Sequence, residues 1–173
     1  MPTIIETIRL TLRPFEATDA EAAFEWFGNP VVMKYVPNGP DAALDETRRR
    51  IEKYQQHQGV HGFSKWVIVE RRLGRPIGDS GLLVLEREGW IDLGFRLKPA
   101  YWGQGFATEA GLAWIRAAFH DLGLRALGAF THPDNGASTR VLEKLGFYAV
   151  RRDTVMGMSA TVFELKCDGR TPG

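Results

Sequence analysis

Apolar and polar residues alternate from Thr7 to Arg13: Ile8, Leu10 and Leu12 fall on one side, and Thr7, Arg9, Thr11 and Arg13 on the other. This period of two predicts a first strand, ended by Pro14. The period then lengthens. Thr18 or Asp19 can cap a helix running to about Phe27, with Ala22, Ala23, Trp26 and Phe27 on one face. Gly28-Asn29-Pro30 breaks it, and Pro37, Gly39 and Pro40 keep the next stretch irregular. A second helix is expected from Asp41 to about Gln58, with Leu44, Arg48, Ile51 and Tyr54 or Gln55 on a shared side.

Strand signals follow at Phe63 to Glu70, Ile77 to Glu86 and Trp90 to Leu97, separated by short turns. Such strands form an antiparallel meander. Gly78 and Gly81 suggest a bulge or a close backbone approach within it. From Phe106 to His120 the pattern is helical again, with Ala107, Ala110, Trp114, Ala117 and Ala118 on one face and Gly123 as the stop. Arg125 to Thr131 reads as a strand, Asn135 to Leu145 as a helix closed by Gly146, and Tyr148 to Cys167 as a final strand pair. The strand–helix–strand succession implies a crossover that makes Trp90–Leu97 and Arg125–Thr131 parallel. The fold class is α+β: a mixed, mostly antiparallel central sheet with helices on both faces, in a single domain spanning residues 1–173.

Composition narrows the function classes. A net charge of +1 gives no basic face for nucleic acid. No apolar run approaches the roughly 20 residues of a membrane span, and no basic segment precedes an apolar run near Met1. The single cysteine, Cys167, cannot form an internal disulfide, and its alternation with Thr161, Phe163 and Leu165 reads as a small buried hydrophobe. A cytoplasmic protein is expected.

The chemistry-bearing run is Leu97-Lys98-Pro99-Ala100-Tyr101-Trp102-Gly103-Gln104-Gly105-Phe106-Ala107-Thr108-Glu109-Ala110. It joins a strand to a helix, with glycines at the helix entrance. Glycine lets a ligand approach the backbone, and the first N–H groups of a helix favour an anion such as pyrophosphate. A tight strand-to-helix turn alone would use the same glycines. The run is neither a dinucleotide fingerprint, because Thr108 stands where a third glycine is needed, nor a P-loop, because no G-K-S/T follows.

This run resembles the coenzyme-A-binding motif of the GNAT superfamily of N-acetyltransferases, R/Q-x-x-G-x-G/A. Gly105-Phe106-Ala107 matches its G-x-A end, and Trp102 replaces Arg or Gln. That replacement is typical of a branch reading W-G-x-G-x-A-T-E-A, which includes the ribosomal-protein N-terminal acetyltransferases. The opening Arg9-Leu10-Thr11-Leu12-Arg13-Pro14 with Asp19-Ala20 is similar to the branch's first strand and helix. Asn135-Gly136-Ala137-Ser138 followed by Val141-Leu142-Glu143-Lys144-Leu145-Gly146-Phe147 is similar to its second cofactor motif.

The resemblance implies two parallel central strands splayed around acetyl-CoA, with no metal. It places backbone groups of Gly94, Phe95 and Leu97 along the pantetheine. The N–H groups of Gly103, Gln104, Gly105, Phe106, Ala107 and Thr108 would hold the pyrophosphate. An N–H near Phe95 would receive the thioester oxygen. Asn135 reads locally as a helix N-cap, and by resemblance as a cofactor contact. Many relatives carry a Tyr that protonates the leaving thiolate; the aligned residue here is Leu142, which leaves Ser138 or water for that task. Arg140 and Lys144 are either exposed helix cations or partners of the 3′-phosphate. Asp92 is the nearest acid on the central strand: it is a candidate base, or an ion-pair partner of Arg96 or a neighbour. His132 is a second candidate base or a turn residue, and Glu109 is expected to hold the loop.

The acceptor is expected to be an amine, either a protein N-terminus or a small molecule, meeting the Gly28–Pro40 loop and the strands after Tyr148. Trp26, Tyr35 and Phe63 are candidate wall residues, with core packing the alternative for Trp26. No acidic cluster selects a polycation. A non-catalytic acyl-CoA sensor is the competing reading, and a homodimer is left open.

Overall fold

The computed structural model describes residues 1–168 of the chain. Its strands are β1 (Ile5–Glu6), β2 (Leu10–Pro14), β3 (Lys65–Glu70), β4 (Arg75–Leu85), β5 (Trp90–Leu97), β6 (Ala126–Thr131), β7 (Tyr148–Val155) and β8 (Met158–Lys166). Its helices are α1 (Ala20–Phe27), α2 (Leu44–His61), α3 (Phe106–Arg116) and α4 (Gly136–Lys144). The strands form one sheet in the order β1-β2-β3-β4-β5-β6-β8-β7. All neighbours are antiparallel except β5 and β6, which pair in parallel at Asp92 and Gly128.

Alternation splits the side chains between two layers. Leu10, Leu12, Trp66, Ile68, Leu82 and Leu93 pack under α3 and α4. Trp114 of α3 meets Trp66 edge to face at 4.8 Å. Gly111 brings α3 and α4 together, because a Cβ there would strike Leu145. The opposite layer joins Phe15, Trp26, Phe27, Ile51, Tyr54 and Val67 beneath α1 and α2.

The expected strand at Thr7 is shorter than its pattern. Residues 7–9 turn between β1 and β2, tied by the Thr7 amide donating to the Leu10 carbonyl at 2.9 Å. Ile8 is therefore exposed, whereas Leu10 and Leu12 are buried. The expected bulge is real: the β3–β4 register shifts between Ile68 and Val69, opposite Gly78 and Pro76. Helix α3 gives way to a π-turn at Ala117–Asp121, short of the uniform helix its periodicity suggests. Cys167 corrects the sequence reading. It lies just past β8 and is exposed, although its amide still bonds to the Arg125 carbonyl at 2.8 Å.

Candidate active site

Past Asp92, β5 and β6 share no further ladder pair, and a cavity of about 720 Å³ opens between them. Strands that part expose backbone groups that would otherwise be paired. Asp92, Gly94, Phe95, Leu97, Gly103, Gly105, Phe106, Ala107, Thr108, Asn135 and Ser138 all line this one cavity. Gln104 does not; its side-chain amide donates to the Ala100 carbonyl at 2.9 Å.

The loop into α3 is shaped by Gly103 at φ 68° and Gly105 at φ 82°, left-handed values that disfavour other residues. Gly105 is the N-cap, with no side-chain acceptor over the first turn. Among the described hydrogen bonds, none uses the amides of Gly103 to Thr108, and the next amide, Glu109, closes the first helical bond to Gly105. A run of free N–H groups at a helix N-terminus on a cavity wall suits a pyrophosphate. The residues present therefore fit coenzyme A at this end. Arg140 and Lys144 of α4 line the same cavity and offer the cations for a further phosphate.

Glu109 holds this loop, as its place in the motif suggests. It accepts from the Thr7 hydroxyl at 2.5 Å, the Arg9 amide at 2.8 Å and Arg9 Nε at 2.6 Å. Arg9 in turn donates to the Gln104 carbonyl at 2.8 Å and covers the Phe106 ring at 4.1 Å. Burial acts to raise the Glu109 pKa, but the Thr7 and Arg9 donors outweigh it and hold the carboxylate below its ordinary value. The tie is thus complete above the ordinary glutamate pKa and is lost as pH falls through the depressed one. Glu109→Ala should weaken acetyl-CoA binding by about tenfold, the loss of roughly one charge-assisted hydrogen bond discounted for solvent. Calorimetry checks this, and an unchanged affinity would separate the tie from the loop.

On α4, Asn135 is the N-cap: its Oδ1 accepts the Ser138 amide at 3.2 Å. Its Nδ2 also donates to Ser138 Oγ at 3.0 Å. The serine hydroxyl thus has an incoming donor and keeps its own hydrogen to give into the cavity. Leu142 is buried and also lines the cavity, in place of a hydroxyl-bearing residue.

On the other wall, Asp92, Gly94 and Arg96 project toward the α1–α2 layer. Arg96 does not pair with Asp92. It forks onto Asp79 at 2.9 and 2.5 Å and donates to the Tyr54 hydroxyl at 3.1 Å. Asp79 is wholly buried and also accepts from Trp26 Nε1 at 2.9 Å, which makes Trp26 a core residue. Asp92 is instead supported by Trp90 Nε1 at 3.2 Å, and the Trp90 ring fills the space over Gly128. Burial pushes the Asp92 pKa up to about 6, against the opposing pull of Lys65, Trp90 and Arg96.

Tyr35 lines the cavity and stacks on His132 at 5.0 Å, so His132 pins the loop after α1 to the β6–α4 connection. His132 also accepts the Asp134 amide at 3.1 Å, a turn-shaping bond. Phe63 is buried against His57 and is not a wall residue. Met156, in the β7–β8 turn at φ 52°, reaches the same cavity. Sequence reasoning missed Lys65, Arg50, Tyr54 and Thr131, all lining it; the Thr131 hydroxyl is buried with no partner. Among the described residues no cluster of His, Cys, Asp or Glu could hold a metal, and no helix is long and apolar enough to cross a membrane.

The chain matches the acetyltransferase (GNAT) domain family over residues 9–148. The chain belongs to the GNAT acetyltransferase family. Among GNAT relatives, the uncharacterized N-acetyltransferase YoaA of Bacillus subtilis (strain 168) is 33% identical over 149 residues, covering 83% of this chain and 82% of that protein. A GNAT-family acetyltransferase from Bacillus anthracis shares the fold with a TM-score of 0.83 at 24% identity, over 94% of this chain and 98% of its own. The ribosomal L7/L12 alpha-N-protein acetyltransferase RimL, solved in complex with coenzyme A, superposes with a TM-score of 0.82 at 17% identity, over 96% of this chain and 99% of its own. The mixed sheet with one splayed parallel pair is thus the GNAT architecture, and ribosomal-protein acetyltransferases are among its structural neighbours.

Proposed function

We propose that this chain is one acetyltransferase domain that moves an acetyl group from acetyl-CoA to a primary amine, by direct attack in a ternary complex. The observation carrying this reading is a single cavity bounded by the free amides of Gly103 and Gly105–Thr108, the buried carboxylate of Asp92 and the hydroxyl of Ser138. The Gly103–Thr108 amides hold the pyrophosphate, and the open edge of β5 at Gly94, Phe95 and Leu97 runs along the pantetheine. Acetyl-CoA supplies a thioester carbonyl open to attack. Asp92 takes a proton from the acceptor ammonium, the freed amine forms the C–N bond as the C–S bond breaks, and Ser138 gives a hydrogen bond or proton to the departing sulfur, the surplus proton of the new amide nitrogen restoring the serine or passing to the thiolate.

The acceptor reaches Asp92 between the loop carrying Val31 to Asn38 and the β7–β8 turn. The cations lining this end are Lys34, Arg50, Lys65 and Arg96, and among the described residues Asp92 is its one lining carboxylate. A polycationic amine is therefore disfavoured, and a protein N-terminus or a small monoamine is favoured.

Thiol release from acetyl-CoA over a panel of peptide N-termini and small amines tests the reading. Turnover on at least one is expected; tight acetyl-CoA binding with none would make the chain an acyl-CoA sensor. Ser138→Ala should lower kcat by about 10²-fold, the scale of general acid catalysis, with acetyl-CoA affinity changing less. An unaltered kcat would assign the proton to water.

A further inference from the structure

We infer that Lys65 is a positioning residue of the transfer reaction, carried to the cavity floor across two in-register glycines and acting there through Asp92. The inference rests on the proposed role of Asp92 as the base. Lys65 begins β3, two strands away from β5, yet its side chain lines the cavity. The ladder explains how. Lys65 pairs with Gly81 of β4, and Gly81 pairs with Gly94 of β5. Two residues without side chains thus clear a lane across the sheet on the face toward α1 and α2. Lys65 lies along it. Its ammonium donates to the Gly81 carbonyl at 3.0 Å, and a Cβ on Gly94 would collide with Nζ. The same Cβ would stand 3.7 Å from Asp92 Oδ2, so the ammonium and the carboxylate flank one glycine.

Packing does not account for a charge here. Lys65 is 4% exposed, and an apolar chain would fill the lane without the cost of desolvating an ammonium. The other charged and titratable groups facing this point are already answered. Asp79 on β4 is forked by Arg96 on β5. Arg50 on α2 is forked by Asp41. His57 on α2 has one ring nitrogen 2.9 Å from the Phe63 carbonyl, while the other accepts the Val84 amide at 3.0 Å. That pattern is the neutral tautomer, and burial lowers the His57 pKa in agreement. Tyr54 on α2 accepts from Arg96. Lys34, which also lines the cavity, lies over the Tyr35 ring at 5.1 Å, and Lys65 is the buried cation left beside Asp92. Desolvation lowers the Lys65 pKa to about 8, with Asp92 the leading opposing influence. A cation beside a buried carboxylate keeps it ionised at lower pH and so ready to accept a proton.

The test measures the Asp92 carboxyl directly, by carbon NMR of aspartate-labelled protein with Asp92→Asn to assign the signal, alongside the pH profile of kcat/KM. Lys65→Met fills the lane without charge. Gly94→Ala keeps the lysine but displaces its ammonium. In both variants the Asp92 midpoint should rise by about 1–3 pH units, the size expected on losing a nearby opposite charge. In Lys65→Met the acid limb of kcat/KM should move with it, costing about tenfold or more near pH 6 and recovering at higher pH, while Gly94→Ala is read by the Asp92 titration alone. The thermal midpoint of Lys65→Met should not fall, which separates this role from a packing role. An Asp92 titration unmoved in both variants, or moved in Lys65→Met without any shift of the acid limb, overturns the inference. Full activity of Asp92→Asn would instead remove the base reading, and the NMR titration reports the Lys65–Asp92 coupling without any turnover.

Discussion

Gly105→Glu should reduce acetyl-CoA affinity by at least about 10²-fold while leaving the chain folded. Gly105 is the N-cap of α3 at φ 82°, and only Arg9 Nη2, at 3.4 Å, comes within 4 Å of a Cβ built there. The substitution is therefore accommodated sterically by the protein. Its structural cost is the left-handed strain of a non-glycine residue, about 1–2 kcal/mol, or a few degrees in Tm for a chain of this size. Its cost to binding is larger. The side chain and its charge enter the space onto which the Gly103–Thr108 amides open, where several charge-assisted hydrogen bonds of about 1.5–3 kcal/mol each would form. Losing two of them exceeds 10²-fold. Gly105→Ala carries the strain without the charge and should bind with a much smaller loss. Titration calorimetry on both variants decides the matter. Wild-type affinity in Gly105→Glu would mean that these amides do not hold the anion.

Much of this cradle is legible in the sequence, because its parts are local. Gly103, Gly105 and the small Ala107 lie within one turn of each other, and the start of α3 at Phe106 coincides with the onset of helical periodicity. Strand β5 likewise begins and ends where alternation places it, at Trp90 and Leu97. Asn135 as an N-cap follows from the residues beside it. The other wall is not local and is less legible. Asp92 and Arg96 share a face, which suggests a pair, but Asp79 lies directly across the ladder from Arg96 and takes it instead. Lys65 looks like an ordinary polar position in an alternating strand. Its importance depends on the register that aligns it with Gly81 and Gly94, and register depends on turn lengths and on the bulge near Ile68. Glycines spaced along neighbouring strands were the available signal: paired across a sheet they mark a lane for a long side chain, as well as a close backbone approach. Ile8 and Cys167 failed for a simpler reason. Each extends an alternating pattern by one step past the point where the ladder stops.

Asp92→Asn should lower kcat/KM by about 10²–10⁴-fold, the range for removing a general base, with acetyl-CoA affinity nearly unchanged. The carboxylate is buried on the floor of the cavity, held by Trp90 at 3.2 Å and flanked by Lys65 across Gly94. Asparagine keeps the shape and can still accept from Trp90, so orientation survives while basicity does not. The pH dependence follows from the raised pKa of about 6. Below it the group is protonated and cannot accept a proton, so wild-type kcat/KM should climb about tenfold per pH unit until pH 6 and then level. Asp92→Asn should lose that limb. Stability moves separately from activity. The folded state binds the Asp92 proton more tightly than the unfolded chain does, so ionisation costs stability as pH rises from the ordinary aspartate value to about 6, and that cost persists above it. Asparagine removes the cost but leaves the Lys65 ammonium without its carboxylate, and the two changes oppose each other. A Tm close to wild type with kcat/KM reduced a hundredfold or more is therefore the expected signature. A variant that keeps both the acid limb and the rate would shift the base to water held by the cavity, with the orphaned Thr131 hydroxyl and Ser138 as the side chains placed to bind it.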